Sequence, residues 1–85
     1  MIKYLVITVR KPTFQQSAVE PHYAFLDKLR KENRLEQFGP FTDKSGGAYV
    51  IRAKDKEEAR AIVSGDPVVT TNSSEAKIYE WDAES

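Results

Sequence analysis

The chain has 85 residues, no cysteine, a single histidine, and 13 basic and 13 acidic residues, so its formal net charge is zero. This composition excludes disulfide frameworks, thiolate metal sites and His-rich metal cages, lacks the basic surplus of nucleic-acid binders, and contains no apolar run long enough to span a membrane. We therefore predict a single soluble domain over residues 1–85, with no metal site and no nucleic-acid or membrane partner.

The first half of the chain predicts a strand, a helix and a second strand. Residues 2–9 are rich in β-branched and aromatic side chains on both alternating faces, which is typical of a central strand buried on both sides. The strand begins at once, without the apolar segment of a signal peptide, so we expect a cytoplasmic protein. A helix is predicted over about residues 21–34 and a strand over residues 35–41. Gly39-Pro40 interrupts this strand, which should therefore lie at an edge or carry a bulge there.

The second half predicts a hairpin connection, a strand, a helix, a tight connector and a last strand. These elements span, in order, residues 43–47, 48–53, 55–65, 68–74 and 76–82. Asp55 and Glu58 form a capping box for the helix, and Gly65 ends it. The order β-α-β-β-α-β predicts a ferredoxin-like α+β domain, with a four-stranded antiparallel sheet of order 4-1-3-2 and two helices on one face.

The sheet face that the helices leave open is predicted to be partly apolar. Leu5 and Ile7 of the first strand share one face, and Tyr79 and Trp81 share a face of the last strand. Two apolar faces on a short chain favour a homodimer in which a second copy covers the open sheet face. The alternative is a monomer whose aromatic side chains lie flat at a wet surface.

Two ionisable residues are candidates for chemistry. His22 lies in the first turn of the first helix, on the stripe that faces the sheet, and histidine exchanges protons near neutral pH. Asp66 follows the glycine that ends the second helix, and its carboxylate would orient the imidazole if these two helix ends meet. The alternatives are a histidine at the edge of the core and an aspartate that only opens a turn.

Three further residues are candidates for contact with a small molecule. Arg10 closes the first strand and would bind an anionic group, although a solvated arginine is the simpler interpretation. Gly39 and Pro40 are expected to shape the rim of a pocket. The sequence contains no Ser-centred elbow, phosphate loop, dinucleotide fingerprint or HExxH motif, so no nucleophile stands out beyond ordinary hydroxyls.

The order and spacing of these residues resemble the YCII-related proteins. His22 opens a helix, Gly39-Pro40 follows, and the second helix carries Glu57-Glu58-Ala59 and leads to Asp66-Pro67. The resemblance covers almost the whole chain and implies a dimeric α+β barrel of ferredoxin-like subunits. It also implies a pocket in each subunit with a His–Asp pair, which by position would be His22 and Asp66.

The resemblance further implies proton transfer on small cyclic, oxygenated molecules, because one member is a dehydrochlorinase of a chlorinated hydroxyquinol and the fold is similar to that of muconolactone isomerase. We therefore predict a small cofactor-free enzyme of the lyase or isomerase type. His22 and Asp66 would be its catalytic residues, and Arg10, Gly39 and Pro40 would contact the substrate. The alternatives are a small-molecule-binding domain without catalysis and an accessory dimerisation domain.

Overall fold

Four antiparallel strands form one sheet. The computed structural model describes residues 1–84, and in it the strands span Ile2–Arg10 (β1), Leu35–Pro40 (β2), Gly46–Ala53 (β3) and Ser74–Glu80 (β4). The helices span Val19–Lys31 (α1), Lys56–Val63 (α2) and Pro67–Thr70 (α3), and a short 3-10 turn at Gln16–Ala18 precedes α1. The sheet order is β2-β3-β1-β4. The predicted ferredoxin-like α+β fold is therefore confirmed, with β1 as a central strand.

One face of the sheet packs against the helices and forms the hydrophobic core. Alternate residues of a strand point to the same face, so every second side chain of β1 and β3 joins this layer. The core residues come from the strands and from the inner stripes of α1 and α2: Tyr4, Val6, Leu26, Leu29, Leu35, Tyr49, Ile51, Ala53, Ala59 and Val63. Full burial of a Leu, Val or Ile side chain contributes about 1.5–3 kcal/mol, so this layer fixes the helices over the sheet.

The helix ends follow local signals in the sequence. Pro21 lies in the first turn of α1, and Asn33 follows the helix with a left-handed backbone, φ 60°, as predicted. Asp55 caps α2 by accepting a hydrogen bond from the N–H of Glu58 at 2.8 Å. The Glu58 side chain accepts in turn from the N–H of Lys54, so the predicted capping box forms with its return bond moved by one residue.

Of the two alternatives predicted for β2 at Gly39-Pro40, the edge position is confirmed and the bulge is wrong. The register shift of β2 lies between Leu35 and Gln37, whereas Gly39 and Pro40 pair regularly with β3. Because β2 is an edge strand, one side of its backbone has no ladder partner, and a proline without an N–H donor is tolerated there.

The predicted hairpin connection is too long, because Gly46 and Gly47 belong to β3 and pair with β1. Gly46 has φ 158°, and a Cβ built on it would lie 1.8 Å from the carbonyl oxygen of Thr8. Only glycine fits there, so the strand continues where a glycine pair would ordinarily indicate a turn.

The residues after Asp66 form the short helix α3, where the sequence predicts only a connector. The β-branched side chains of Val68 and Val69 disfavour a helix. Asp66 nevertheless caps this helix, Pro67 occupies its first position, and Val68 is buried. The cap and the tertiary burial together override the local preference.

The opposite face of the sheet has an aliphatic centre beside an exposed aromatic edge. Leu5 lies between Val50 of β3 and Tyr79 of β4, while Tyr79 and Trp81 are 48% and 45% exposed. The N–H of Trp81 donates to the carbonyl of Lys3 and extends the β1–β4 pairing. The predicted two-sided apolar pattern is thus present. None of the helices in residues 1–84 has the length and apolar character needed to cross a membrane.

Candidate active site

The first turn of α1 and the N-terminus of α3 meet at one end of the sheet and bring His22 and Asp66 together. Nδ1 of His22 lies 2.7 Å from Oδ1 of Asp66, although the two residues are 44 positions apart in the chain. The Asp66 side chain is fully buried, and the imidazole is 17% exposed. Two residues singled out in the sequence thus form a hydrogen-bonded pair with one buried and one accessible member.

Asp66 has two structural roles. Its Oδ1 accepts hydrogen bonds from His22 and from the N–H of Val68, the latter at 3.0 Å, and its Oδ2 accepts from the hydroxyl of Tyr49 at 2.8 Å. No lysine or arginine nitrogen within residues 1–84 lies at ion-pair distance from this carboxylate. A buried carboxylate needs hydrogen-bond donors to compensate its lost hydration. The Asp66 carboxylate therefore caps α3 and binds His22 at the same time, and the bond from Val68 helps to hold it in place for both roles.

Tyr49 is a member of the site that the sequence analysis misses. It is 2% exposed on the helix-facing side of β3, and its ring centroid lies 6.5 Å from that of Phe25 and 6.0 Å from that of His22. Burial and the neighbouring Asp66 carboxylate raise the pKa of Tyr49 far above its usual range, so the hydroxyl stays a donor. The only sequence signal is a tyrosine at a core-facing position, whose hydroxyl needs a buried partner.

These hydrogen bonds assign the tautomer of the imidazole. An ionised carboxylate only accepts, so Nδ1 of His22 carries the hydrogen that points to Asp66. Within residues 1–84 no hydrogen bond uses Nε2, and the imidazole lines the adjoining cavity. In the neutral imidazole this arrangement leaves the lone pair on Nε2, the atom that a general base uses.

A cavity of about 60 Å³ adjoins the imidazole. A volume of about 10–15 Å³ holds one water, so the cavity accepts a group of several heavy atoms. Arg10, Gly39 and Pro40 all line it, together with His22 and Tyr49. The structure therefore places every candidate substrate-contact residue at the same cavity as the histidine. Among residues 1–84, no group of three or more His, Cys, Asp or Glu side chains is arranged to hold a metal ion.

Arg10 supplies a positive charge at the cavity wall. Its guanidinium carbon lies over the ring of Phe14, 4.1 Å from the centroid, and no carboxylate of the described residues is within ion-pair distance of it. Arginine stays protonated at all ordinary pH values and donates two parallel hydrogen bonds to carboxylates and other anionic oxygens. The side chain is therefore suited to an anionic ligand.

Tyr23 and Phe38 form an exposed aromatic rim at the cavity. They are 41% and 40% exposed, their ring centroids are 6.2 Å apart, and both residues line the cavity. The Tyr23 ring also meets the imidazole of His22 edge-on at 5.4 Å. Aromatic side chains pack well against planar rings, so this rim favours a flat cyclic ligand.

The segment before α1 is fastened to the segment after α3. Lys11 donates through Nζ to the side-chain oxygen of Asn72, and the hydroxyl of Thr13 donates to the carbonyl of Asn72. The N–H of Gln15 donates to Oγ of Ser73 at 3.1 Å. Asn72 adopts the left-handed backbone that asparagine tolerates, φ 58°. These bonds fix the chain segment that carries one wall of the cavity.

Comparison with known proteins gives a consistent result. A model of the YCII-related domain family matches residues 2–82. The uncharacterized protein YjpA of Bacillus subtilis (strain 168) is 52% identical over 81 residues, and the alignment covers 95% of each chain.

Two solved structures share the fold. The 5-chloro-2-hydroxyhydroquinone dehydrochlorinase from Burkholderia phenoliruptrix AC1100, in complex with 2,5-dihydroxybenzoquinone, has a TM-score of 0.80 and 18% identity, covering 98% of this chain and 96% of that one. An antibiotic biosynthesis monooxygenase has a TM-score of 0.61 and 13% identity, with complete coverage, 100%, of both chains. At these identities the likeness concerns the fold alone.

Proposed function

Because the chain belongs to the YCII-related domain family, we propose that it is a small enzyme that transfers a proton on a small cyclic, oxygenated molecule. The observation that supports this most directly is the 2.7 Å hydrogen bond between a buried Asp66 and a His22 that lines a cavity. By its name, the dehydrochlorinase with a similar fold acts on a chlorinated hydroxyhydroquinone. That similarity favours the same class of substrate here.

In this proposal Nε2 of His22 is the general base. It takes a proton from a carbon or hydroxyl of the ligand, and Asp66 stabilises the resulting imidazolium through Nδ1–H. In an isomerisation, His22 returns the proton to another atom of the same ligand. In an elimination, the electron pair of the broken C–H bond forms a double bond while an anionic leaving group departs. These proton transfers use only side chains of this protein and need no cofactor.

The remaining cavity residues would bind and orient the ligand. Arg10 would donate hydrogen bonds to an anionic oxygen, which also stabilises the negative charge that develops as the proton leaves. The rim of Tyr23 and Phe38 would pack against the ring of the ligand. Gly39 and Pro40, which have little or no side chain, would let a flat ligand approach the backbone of β2.

Turnover of a panel of hydroxylated and halogenated hydroquinones by the purified protein tests the proposal. We expect the halogenated members to lose a hydrogen halide and give a quinone, and the other members to give at most an isomerised product, both visible in the ultraviolet spectrum. We expect His22→Ala to lower kcat by about 10²–10⁴-fold with an unchanged circular dichroism spectrum. Lys28→Gln, at an exposed position of the same helix, is the matched control and should keep the wild-type rate. An equal rate in His22→Ala would contradict the proposal.

The second candidate function is a binding domain without catalysis. The cavity beside the pair supports this alternative as well, since a polar anchor in a partly apolar cavity is sufficient for binding. Saturable binding of an anionic phenol with no product after long incubation would favour it over the enzyme. Absence of both binding and turnover would favour the accessory dimerisation domain.

We also propose that the protein forms a homodimer through its open sheet face. Leu5 and Val50 give this face an apolar centre, and Tyr79 and Trp81 leave large aromatic surfaces exposed beside it. A contiguous apolar patch of this kind is typical of an interface. Two copies related by a two-fold axis would cover each other's open faces, and this arrangement gives a closed dimer.

A further inference from the structure

We propose that Tyr49 is a positioning residue that keeps His22 neutral, because its hydroxyl satisfies Oδ2 of Asp66 and so removes the need for an imidazolium beside the buried carboxylate. Tyr49 would act through Asp66 rather than on the ligand. The inference rests on the proposed role of His22 as a base, since only the neutral imidazole accepts a proton.

The charge balance at Asp66 supports this role. The side chain is fully buried, and a buried carboxylate is costly unless hydrogen bonds or a cation compensate it. Its donors are the Tyr49 hydroxyl at 2.8 Å, the N–H of Val68 at 3.0 Å and His22 at 2.7 Å. Without the hydroxyl, Oδ2 has no donor within residues 1–84, and protonation of His22 becomes the strongest compensation left.

The position of the Tyr49 hydroxyl is set by the sheet. Tyr49 pairs with Val6 of β1 on one side and with Phe38 of β2 on the other, and its ring packs edge-on against Phe25 of α1. A side chain held in this way loses little further freedom when it binds the carboxylate. The tyrosine therefore fixes Asp66, which lies between two helices, relative to the rigid central strands.

Few other ionisable groups adjoin the imidazole. Those on the cavity wall are Arg10 of β1 and Tyr23 of α1, and the 3-10 turn and α3 contain none. Arg10 and Tyr23 are present in both the wild type and Tyr49→Phe. Their influence on the His22 titration is therefore the same in the two proteins. The remaining charged residues of β1, α1, β2, β3 and β4 do not line the cavity: Lys3, Glu20, Asp27, Lys28, Arg30, Lys31, Glu36, Arg52, Glu75, Lys77 and Glu80.

The experiment is a pH titration of the His22 imidazole by 15N nuclear magnetic resonance in the wild type and in Tyr49→Phe. His22 is the single histidine, so its imidazole signals need no assignment. We expect the midpoint to move to higher pH by about one unit, equivalent to about 1.4 kcal/mol. The acid limb of the kcat profile should move in the same direction.

Tyr4→Phe is the matched control, because Tyr4 is also buried on a central strand but its hydroxyl has no partner among the described residues. Its midpoint should equal that of the wild type, and a shift as large as that of Tyr49→Phe would contradict the proposal. An unchanged or lowered midpoint in Tyr49→Phe overturns it.

A second variant covers the case in which Tyr49→Phe does not fold. Replacing Tyr49 with 3-fluorotyrosine keeps the shape of the side chain and makes the hydroxyl a stronger donor, so the midpoint should fall, and no change or a rise overturns the proposal. The titration needs no substrate. Absence of turnover with a shifted midpoint would therefore contradict the proposed function, whereas turnover with an unshifted midpoint would contradict only the role of Tyr49.

Discussion

Tyr4 and Tyr49 lie buried on the helix-facing side of adjacent central strands, yet only Tyr49 has a partner for its hydroxyl. Tyr49 donates to Asp66 at 2.8 Å, whereas within residues 1–84 the hydroxyl of Tyr4 has no hydrogen-bond partner. A polar group that is buried without a partner loses its hydration and gains no bond in return. The same hydroxyl group is therefore expected to stabilise the fold at position 49 and to contribute nothing or to destabilise it at position 4, where the ring alone adds to the core.

Removal of the Tyr49 hydroxyl should lower stability, whereas removal of the Tyr4 hydroxyl should not. Tyr4→Phe should leave the free energy of unfolding equal to the wild-type value or raise it. Tyr49→Phe should lower it by about 1.5–3 kcal/mol, the range for a hydrogen bond to a charged group. Urea denaturation of both variants measures the difference, and a Tyr4→Phe protein less stable than Tyr49→Phe would contradict the assignment.

Substitution of Asp66 separates its charge from its role as a helix cap. Asparagine caps a helix about as well as aspartate, so Asp66→Asn should keep α3, whereas Asp66→Ala loses the cap, at about 0.5–2 kcal/mol. Alanine also leaves the buried Tyr49 hydroxyl without an acceptor, which adds about 1–3 kcal/mol. Chemical denaturation should rank wild type above Asp66→Asn and Asp66→Ala last. Equal losses for the two variants would show that the cap contributes nothing.

Alanine substitutions at Gly46 and Gly39 test the close approach of β1 and β3 at Gly46. A Cβ at Gly46 would lie 1.8 Å from a backbone oxygen of β1, whereas a Cβ at Gly39 has nothing within 4 Å. Gly46→Ala should therefore cost at least about 1–3 kcal/mol, as overpacking does, and Gly39→Ala should stay within about 0.5 kcal/mol of the wild type. Thermal unfolding followed by circular dichroism distinguishes the two, and similar melting temperatures would contradict this geometry.

Glu58 should contribute to the pH dependence of stability. Hydrogen bonds from Arg34 and from the N–H of Lys54 hold the pKa of Glu58 below its usual value. This stabilisation is complete above the ordinary glutamate pKa, about 4.3, and is lost as the pH falls through the lower pKa of the folded state. Glu58→Gln should flatten that part of the stability curve, while Glu57→Gln, at an exposed position of the same helix, should not. Parallel curves for Glu58→Gln and the wild type would exclude this contribution.

A charge at the centre of the open sheet face should prevent the proposed dimer. Leu5→Glu places a carboxylate between Val50 and Tyr79, where it would be buried without a partner in a sheet-to-sheet interface. Light scattering after size exclusion should give a dimer for the wild type and a monomer for this variant. Ala61→Glu, at an exposed position of α2, should remain a dimer. A monomeric wild type would contradict the proposal directly.

The fold was largely predictable because its signals are local. The β-branched and aromatic composition of β1, the left-handed Asn33 and the cap at Asp55 each depend on residues close together in the chain, and the elements they predict are present in the structure. The short helix after Asp66 was not predictable from Val68 and its β-branched neighbours, because the burial that stabilises it comes from distant parts of the chain.

Within the site, the sequence singled out His22 and Asp66, and the structure brings them into contact; their role in catalysis remains a prediction. Tyr49 could not be predicted as a site residue, because the direction of its side chain depends on the register of β3 in the sheet. A shift of β3 by one residue would turn this hydroxyl to the other face of the sheet. No short sequence motif specifies the register of the strand.

The site is assembled from parts that are far apart in the chain. The histidine and its aspartate are separated by 44 residues, and the Lys11–Asn72 bond that fastens the cavity wall spans 61. Closing the chain over such distances costs conformational entropy, and the packing of the whole domain offsets this cost. The unfolded chain therefore holds no such site. A ligand that binds at this cavity would bind only the folded protein and would stabilise it against unfolding.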